Sequence, residues 1–74
     1  MDRHSEAATH YASWLHENPD DIETWVAQGE AQAAVAEFAL AAESFRRACE
    51  CEPDDMSLQK KLAKVQLQVL RMPT

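Results

Sequence analysis

Two cysteines one residue apart, Cys49 and Cys51, are the side chains whose types first suggest chemistry, as a metal-binding or thiol-redox pair. On a helix, residues two apart point about 200° away from each other, and no second ligand pair accompanies them. Both are read as buried free thiols. His4, His10 and His16 recur every six residues. Six residues turn a helix by about 600°, so successive imidazoles diverge by roughly 120° and no two share a face. They are read as solvated surface residues. No carboxylate pair, no nucleophile beside a base and no glycine-rich phosphate loop is evident, and Gly29 is the sole glycine. The expectation is a protein that catalyses nothing and needs no cofactor or metal.

Charge narrows the partner class. The net charge of −6 hides a division, because all thirteen acidic residues lie in 1–55, where only Arg3, Arg46 and Arg47 offset them. Residues 56–74 hold Lys60, Lys61, Lys64 and Arg71 and no acid. An acidic body argues against nucleic acid, whose binding rests on neutralising phosphates with Lys and Arg. No run of about eighteen apolar residues exists, which argues against a membrane span. Asp2, Glu6 and two histidines occupy the amino-terminal stretch where a signal peptide needs an apolar segment. A cytoplasmic protein with a protein partner is expected.

At 74 residues the chain has room for one domain, 1–74, with a thin core. Thirteen of its apolar residues are alanine, which removes little area from water. A composition rich in Ala, Glu, Gln, Lys and Leu, with prolines only at Pro19, Pro53 and Pro73, predicts an all-α fold. Two similar punctuation marks, Asn18-Pro19-Asp20-Asp21 and Glu52-Pro53-Asp54-Asp55, stand 34 residues apart. Each proline disfavours a helix at the residue before it, and the aspartates after it can cap the next helix. Glu23, three residues after Asp20, is expected to complete a capping box. The apolar stripes are Ala7, Ala8, Tyr11, Trp14 and Leu15; Ile22, Trp25, Val26, Gly29 and Ala33; Phe38, Ala41, Ala42, Phe45, Ala48 and Cys49; and Leu58, Leu62, Val65 and Val69. Four helices follow, at about 3–17, 21–34, 38–51 and 55–71, with a break near Ala34 to Glu37. Leu67, Leu70 and Met72 lie off the fourth stripe.

Four helices with a period of 34 resemble the tetratricopeptide repeat family, whose unit is a helix hairpin of that length. The resemblance is carried by 22–55, with Trp25 at the first aromatic position, Gly29 at the small helix-crossing position and Phe38 opening the second helix. Ala41, Phe45, Ala48 and Pro53 occupy the remaining signature positions. Residues 3–17 resemble the second half of a preceding repeat, and Leu62 and Ala63 begin a third. The resemblance implies a four-helix antiparallel right-handed superhelical stack, an α-solenoid fragment. Departures are Gln28 and Gln32 at positions that are core in the family, Ala36 where it has glycine, and Trp14 where it has alanine. The amides must find partners or the helices pack differently, since an unpaired buried amide costs about 1–3 kcal/mol. Trp14 is expected to face solvent or a partner.

The family's groove is lined by first helices, which implies Glu23, Val26, Glu30 and Ala33 together with Ser57, Lys60, Lys64 and Leu67 here. Val26 and Glu30 replace the Lys and Asn of members that clamp chaperone carboxylate tails, so that role is not expected. Lys60 and Lys64 are read either as ion-pair partners of Glu30 or as contacts for an acidic peptide. The basic fourth helix is expected to cover the last repeat's apolar face, leaving Leu67 and Leu70 exposed. The implied function is a protein-interaction module holding a peptide or helix of another protein in the groove or at its ends, Trp14 and Leu70, as an adaptor or small chaperone. The alternative is self-assembly as a homodimer through the end helices.

Overall fold

The computed structural model describes residues 3–71, with side chains described from residue 9 onward. Of the residues singled out above, Asp2, Met72 and Pro73 and the side chains of Arg3, His4, Glu6, Ala7 and Ala8 lie outside that description. The fold is all-α, with helices α1 (Arg3–Glu17), α2 (Ile22–Ala34), α3 (Phe38–Cys51) and α4 (Met56–Arg71). No strand occurs among the described residues. Each helix packs chiefly on its neighbours in the chain, α1 on α2, α2 on α3 and α3 on α4. The short connections at 35–37 and the approach of the Cys51 thiol to the Pro19 carbonyl, at 3.9 Å, make α2 and α3 antiparallel.

α2 and α4 begin one residue later than the periodicity predicts, because Asp21 and Asp55 act as caps outside them. The Asp21 carboxylate accepts from the Thr24 amide at 3.3 Å and from the Thr24 hydroxyl at 2.8 Å. This corrects the expected capping box: with Asp21 rather than Asp20 as the cap, Thr24 and not Glu23 stands three residues on. Asp55 accepts likewise from the amides of Ser57 and Leu58, at 2.9 and 3.3 Å.

Several bonds of the first connection recur in the second. Trp25 Nε1 donates to the Pro19 carbonyl at 2.8 Å, and Gln59 Nε2 donates to the Pro53 carbonyl at 2.6 Å. The amide of Asn18 reaches the Trp14 carbonyl at 2.9 Å, as that of Glu52 reaches Ala48 at 3.1 Å. Asp21 and Asp55 donate their own amides to the carbonyls of Asn18 and Glu52, at 3.1 and 3.2 Å. The 34-residue period is therefore a period of backbone conformation as well as of letters.

The core is small, as the alanine content implies. Ala41, Phe45 and Val65 are buried together, with Val26, Ala33, Phe38, Ala42 and Leu62 packed against them, and Leu15, Ala31, Ala48 and Leu58 are buried elsewhere. α2 differs from expectation. Its buried residues are Gln28, Gly29, Ala31 and Gln32, while Ile22, Trp25, Val26 and Ala33 are only half-buried. A helix held between two others must bury two faces, so a one-sided apolar stripe does not describe it.

The amides at Gln28 and Gln32 find a partner in Ser44 of α3, whose hydroxyl lies 3.2 Å from Gln28 Oε1 and 2.7 Å from Gln32 Oε1. Among the described residues no buried side-chain nitrogen or oxygen lacks a hydrogen bond. One hydroxyl proton serves the shorter contact best, which ties Gln32 most firmly. The turn after α2 closes as a Schellman motif, with Glu37 N bonded to Gln32 O at 2.9 Å and Ala36 N to Ala33 O at 3.0 Å. That motif puts Ala36 at φ 63°, the left-handed region that glycine enters without penalty.

Two outcomes follow from this geometry. Ala36→Gly removes the left-handed strain of about 1–2 kcal/mol, less the entropy glycine loses, and raises stability by about 0.5–1 kcal/mol in urea unfolding. Gly29→Ala acts in the other direction. A Cβ there would lie 2.8 Å from Phe45 Cε1, 2.9 Å from its Cζ and 3.0 Å from its Cδ1, so the ring of a core residue would have to shift. Overpacking of about 1–3 kcal/mol outweighs the gain of about 1 kcal/mol in helix propensity, so the midpoint of unfolding falls.

Candidate protein-binding groove

A groove of about 340 Å³ crosses α2, α3 and α4. Its apolar floor is Ala33, Phe38, Phe45 and Val65, and its rim is Glu30, Lys61, Lys64 and Gln68. Phe38 opens α3 directly after the Schellman turn, so the turn aims the ring into this floor. α4 supplies one wall because Leu58 and Val65 are buried on α3, which turns the flank carrying Lys61, Lys64 and Gln68 toward α2.

Of the residues expected here, Glu30, Ala33 and Lys64 are brought together. Val26 is half-buried against the core cluster instead, and Glu23 is exposed away from the groove. Lys60 and Leu67 are exposed and line no part of it. The expected ion pair forms with a different lysine: Lys61 Nζ lies 3.1 Å from Glu30 Oε2. With both partners well exposed, this pair contributes only about 0–1 kcal/mol.

The shift from Lys60 to Lys61 was readable in advance. Positions 58, 62, 65 and 69 share one face at about 100° per residue, and position 60 lies nearly opposite it, whereas 61, 64 and 68 lie on its flank. Phe38 and Phe45 as floor residues had no such signal, since both lie on an apolar stripe that periodicity assigns to the core.

At the other end of the molecule Trp14 is 52% exposed. Its indole is nevertheless held, with Nε1 donating to Asp21 Oδ2 at 2.7 Å. That bond, and then the bonds from Thr24, lower the Asp21 pKa from its ordinary value. Trp14 therefore steadies the cap of α2 while showing one ring face to solvent. Leu70 is 82% exposed at the carboxyl end of α4, beside a shallow depression formed by Ala39, Ala42, Gln66 and Val69.

The thiols depart from expectation. Cys51 is exposed and Cys49 half-buried. Desolvation first, and then nearby carboxylates, raise both thiol pKa values, so little reactive thiolate forms at neutral pH. His10 and His16 are exposed, and no cluster of three metal-ligating side chains occurs among the described residues. No helix among the described residues is long and apolar enough to cross a membrane.

Comparison with family models, with curated proteins and with solved structures finds no match to this chain.

The Asp21 bond gives a pH signature. A carboxylate whose folded-state pKa is lowered adds stability above its unfolded pKa, and that stability is lost as pH falls through the folded value. Trp14→Phe removes the largest cause of the lowering. A carbon-detected NMR titration of Asp21 should show its midpoint move upward in this variant, with less acid-dependent loss of stability below the ordinary carboxylate range. An unmoved midpoint would mean that the indole is not the cause.

Proposed function

We propose that the chain is a tetratricopeptide-like interaction module, one full repeat between two halves in a right-handed superhelical stack, that holds a helix or peptide of a partner protein as an adaptor or small chaperone. The observation that carries the proposal is the groove: an open apolar floor of Phe38, Phe45, Ala33 and Val65, with Lys64 exposed on its rim. Among the described residues no ion pair engages Lys64, whereas Lys61 is already tied to Glu30. A ligand that places an apolar side chain on the floor and a carboxylate against Lys64 fits this arrangement. The hydrogen bonds shared by the connections at Pro19 and Pro53 support the repeat reading.

A second reading, self-assembly through the ends, is favoured by the exposure of Trp14, Leu67 and Leu70. Small repeat stacks bury too little surface alone, so covering these ends would add to stability.

The groove is tested by titrating the nitrogen-labelled chain with amphipathic helical peptides that carry an acidic residue one turn from a leucine or phenylalanine. Amide shifts should concentrate at 30–38 and 61–68. Lys64→Glu, at an exposed position, should leave stability within about 0.5 kcal/mol and weaken the peptide by about tenfold or more. Unchanged affinity with lowered stability would make Lys64 structural and remove the groove as the site.

A further inference from the structure

Three charged side chains line the groove, Glu30 from α2 and Lys61 and Lys64 from α4, while α3 contributes only the uncharged Phe38 and Phe45. The two lysines are not equivalent. Lys61 Nζ lies 3.1 Å from Glu30 Oε2, and among the described residues no ion pair engages Lys64. Along α4 the rim therefore runs from a cation already answered, through a free cation, to the neutral amide of Gln68. Successive members of this row are about one helical turn apart. We infer that Glu30 is a built-in competitor for Lys61, so that the groove reads one acidic residue of its partner, against Lys64, and is blind to a second acid one turn toward Glu30.

The inference rests on the groove reading and narrows it to one partner chemistry, an amphipathic helix with an apolar anchor and a single acid a turn from it. A helix fits because the rim repeats at the spacing with which a helix presents successive side chains along one face. Glu30 and Lys61 belong to the same folded chain, so Glu30 competes at an effective concentration that a ligand carboxylate has to match. A ligand acid that did take Lys61 would leave Glu30 unpaired beside it, and like charges at that range repel. To an acid at similar distances from both members, the closed pair is neutral. A second acid on that side thus gains nothing in the native groove. Without Glu30 it would meet a free lysine, and without Lys61 it would meet a bare carboxylate.

The probes are end-blocked helical peptides of about eighteen residues that share one leucine anchor. The first carries a single glutamate one turn from the leucine, and two others add a second glutamate one turn before or one turn after it. By calorimetry at low salt, the native chain should bind all three within about twofold. Glu30→Gln should tighten one two-acid peptide by about threefold or more relative to the one-acid peptide, and the gain should vanish near about 1 M salt. The other two-acid peptide, whose second acid lies toward Gln68, should keep its ratio. Lys61→Gln should move the responsive peptide the opposite way by about threefold. Circular dichroism checks folding, and either variant alone tests the sign of the change. A native chain that already prefers a two-acid peptide by about threefold, or ratios that neither substitution moves, overturns the inference and leaves the groove reading standing. Equal gains for both two-acid peptides overturn it in favour of a general attraction of α4 for acids. Failure of all three to bind removes the groove reading and the inference with it. Amide shifts at 30–38 and 61–68 that grow with protein concentration alone place a second copy in the groove, with the same result.

Discussion

The seat of Phe45 on Gly29 is the contact on which the rest of the molecule depends. With no Cβ in the way, the ring lies against the backbone of α2, and the two helices come close enough for Ser44 to reach both Gln28 and Gln32. The same ring belongs to the core cluster with Ala41 and Val65, so α4 is placed by it as well. Its outer edge then forms part of the groove floor. One close approach thereby links the helix pair, the third packing partner and the candidate site. In a chain so rich in alanine, few other side chains are large enough to do this.

Polar groups do much of the work that apolar bulk does elsewhere. The buried serine and two glutamines lie where a purely apolar interface would offer no directional preference, and their hydrogen bonds favour one register of α3 on α2. At the surface the connections rely on the same economy. Asp21 gathers the Thr24 amide, the Thr24 hydroxyl and the Trp14 indole at a single carboxylate. Through that carboxylate α1 is tied to the start of α2 by a directional bond. An exposed tryptophan is thus both a structural tie and available surface.

Helix positions were legible because their signals are local. Proline and aspartate act on the residues beside them, and the boundaries at Glu17, Ala34, Cys51 and Arg71 agree with the periodicity. The stripe of Leu58, Leu62, Val65 and Val69 is buried or half-buried as its spacing implies, with Leu67 and Leu70 left exposed. The site was legible only in part. Glu30, Ala33 and Lys64 meet in the groove, but Lys61 rather than Lys60 answers Glu30, because a side chain's bearing changes by about 100° with each residue.

By itself the sequence determined four helices, their ends, the 34-residue period and the need of Gln28 and Gln32 for partners. These depend on neighbours along the chain or on the chemistry of one residue. Only the tertiary structure decided what sits across from what: Ser44 as the partner of both amides, Asp21 as the partner of Trp14, the exposure of Cys51, and the two faces of α2 that a single stripe conceals. The 34-residue spacing of the two proline-aspartate marks also hides a difference, Trp14 where that spacing places Ala48, whose consequence depends on the distance between helices. Distances of this kind are set when whole helices pack, because each depends on every side chain between the two axes at once.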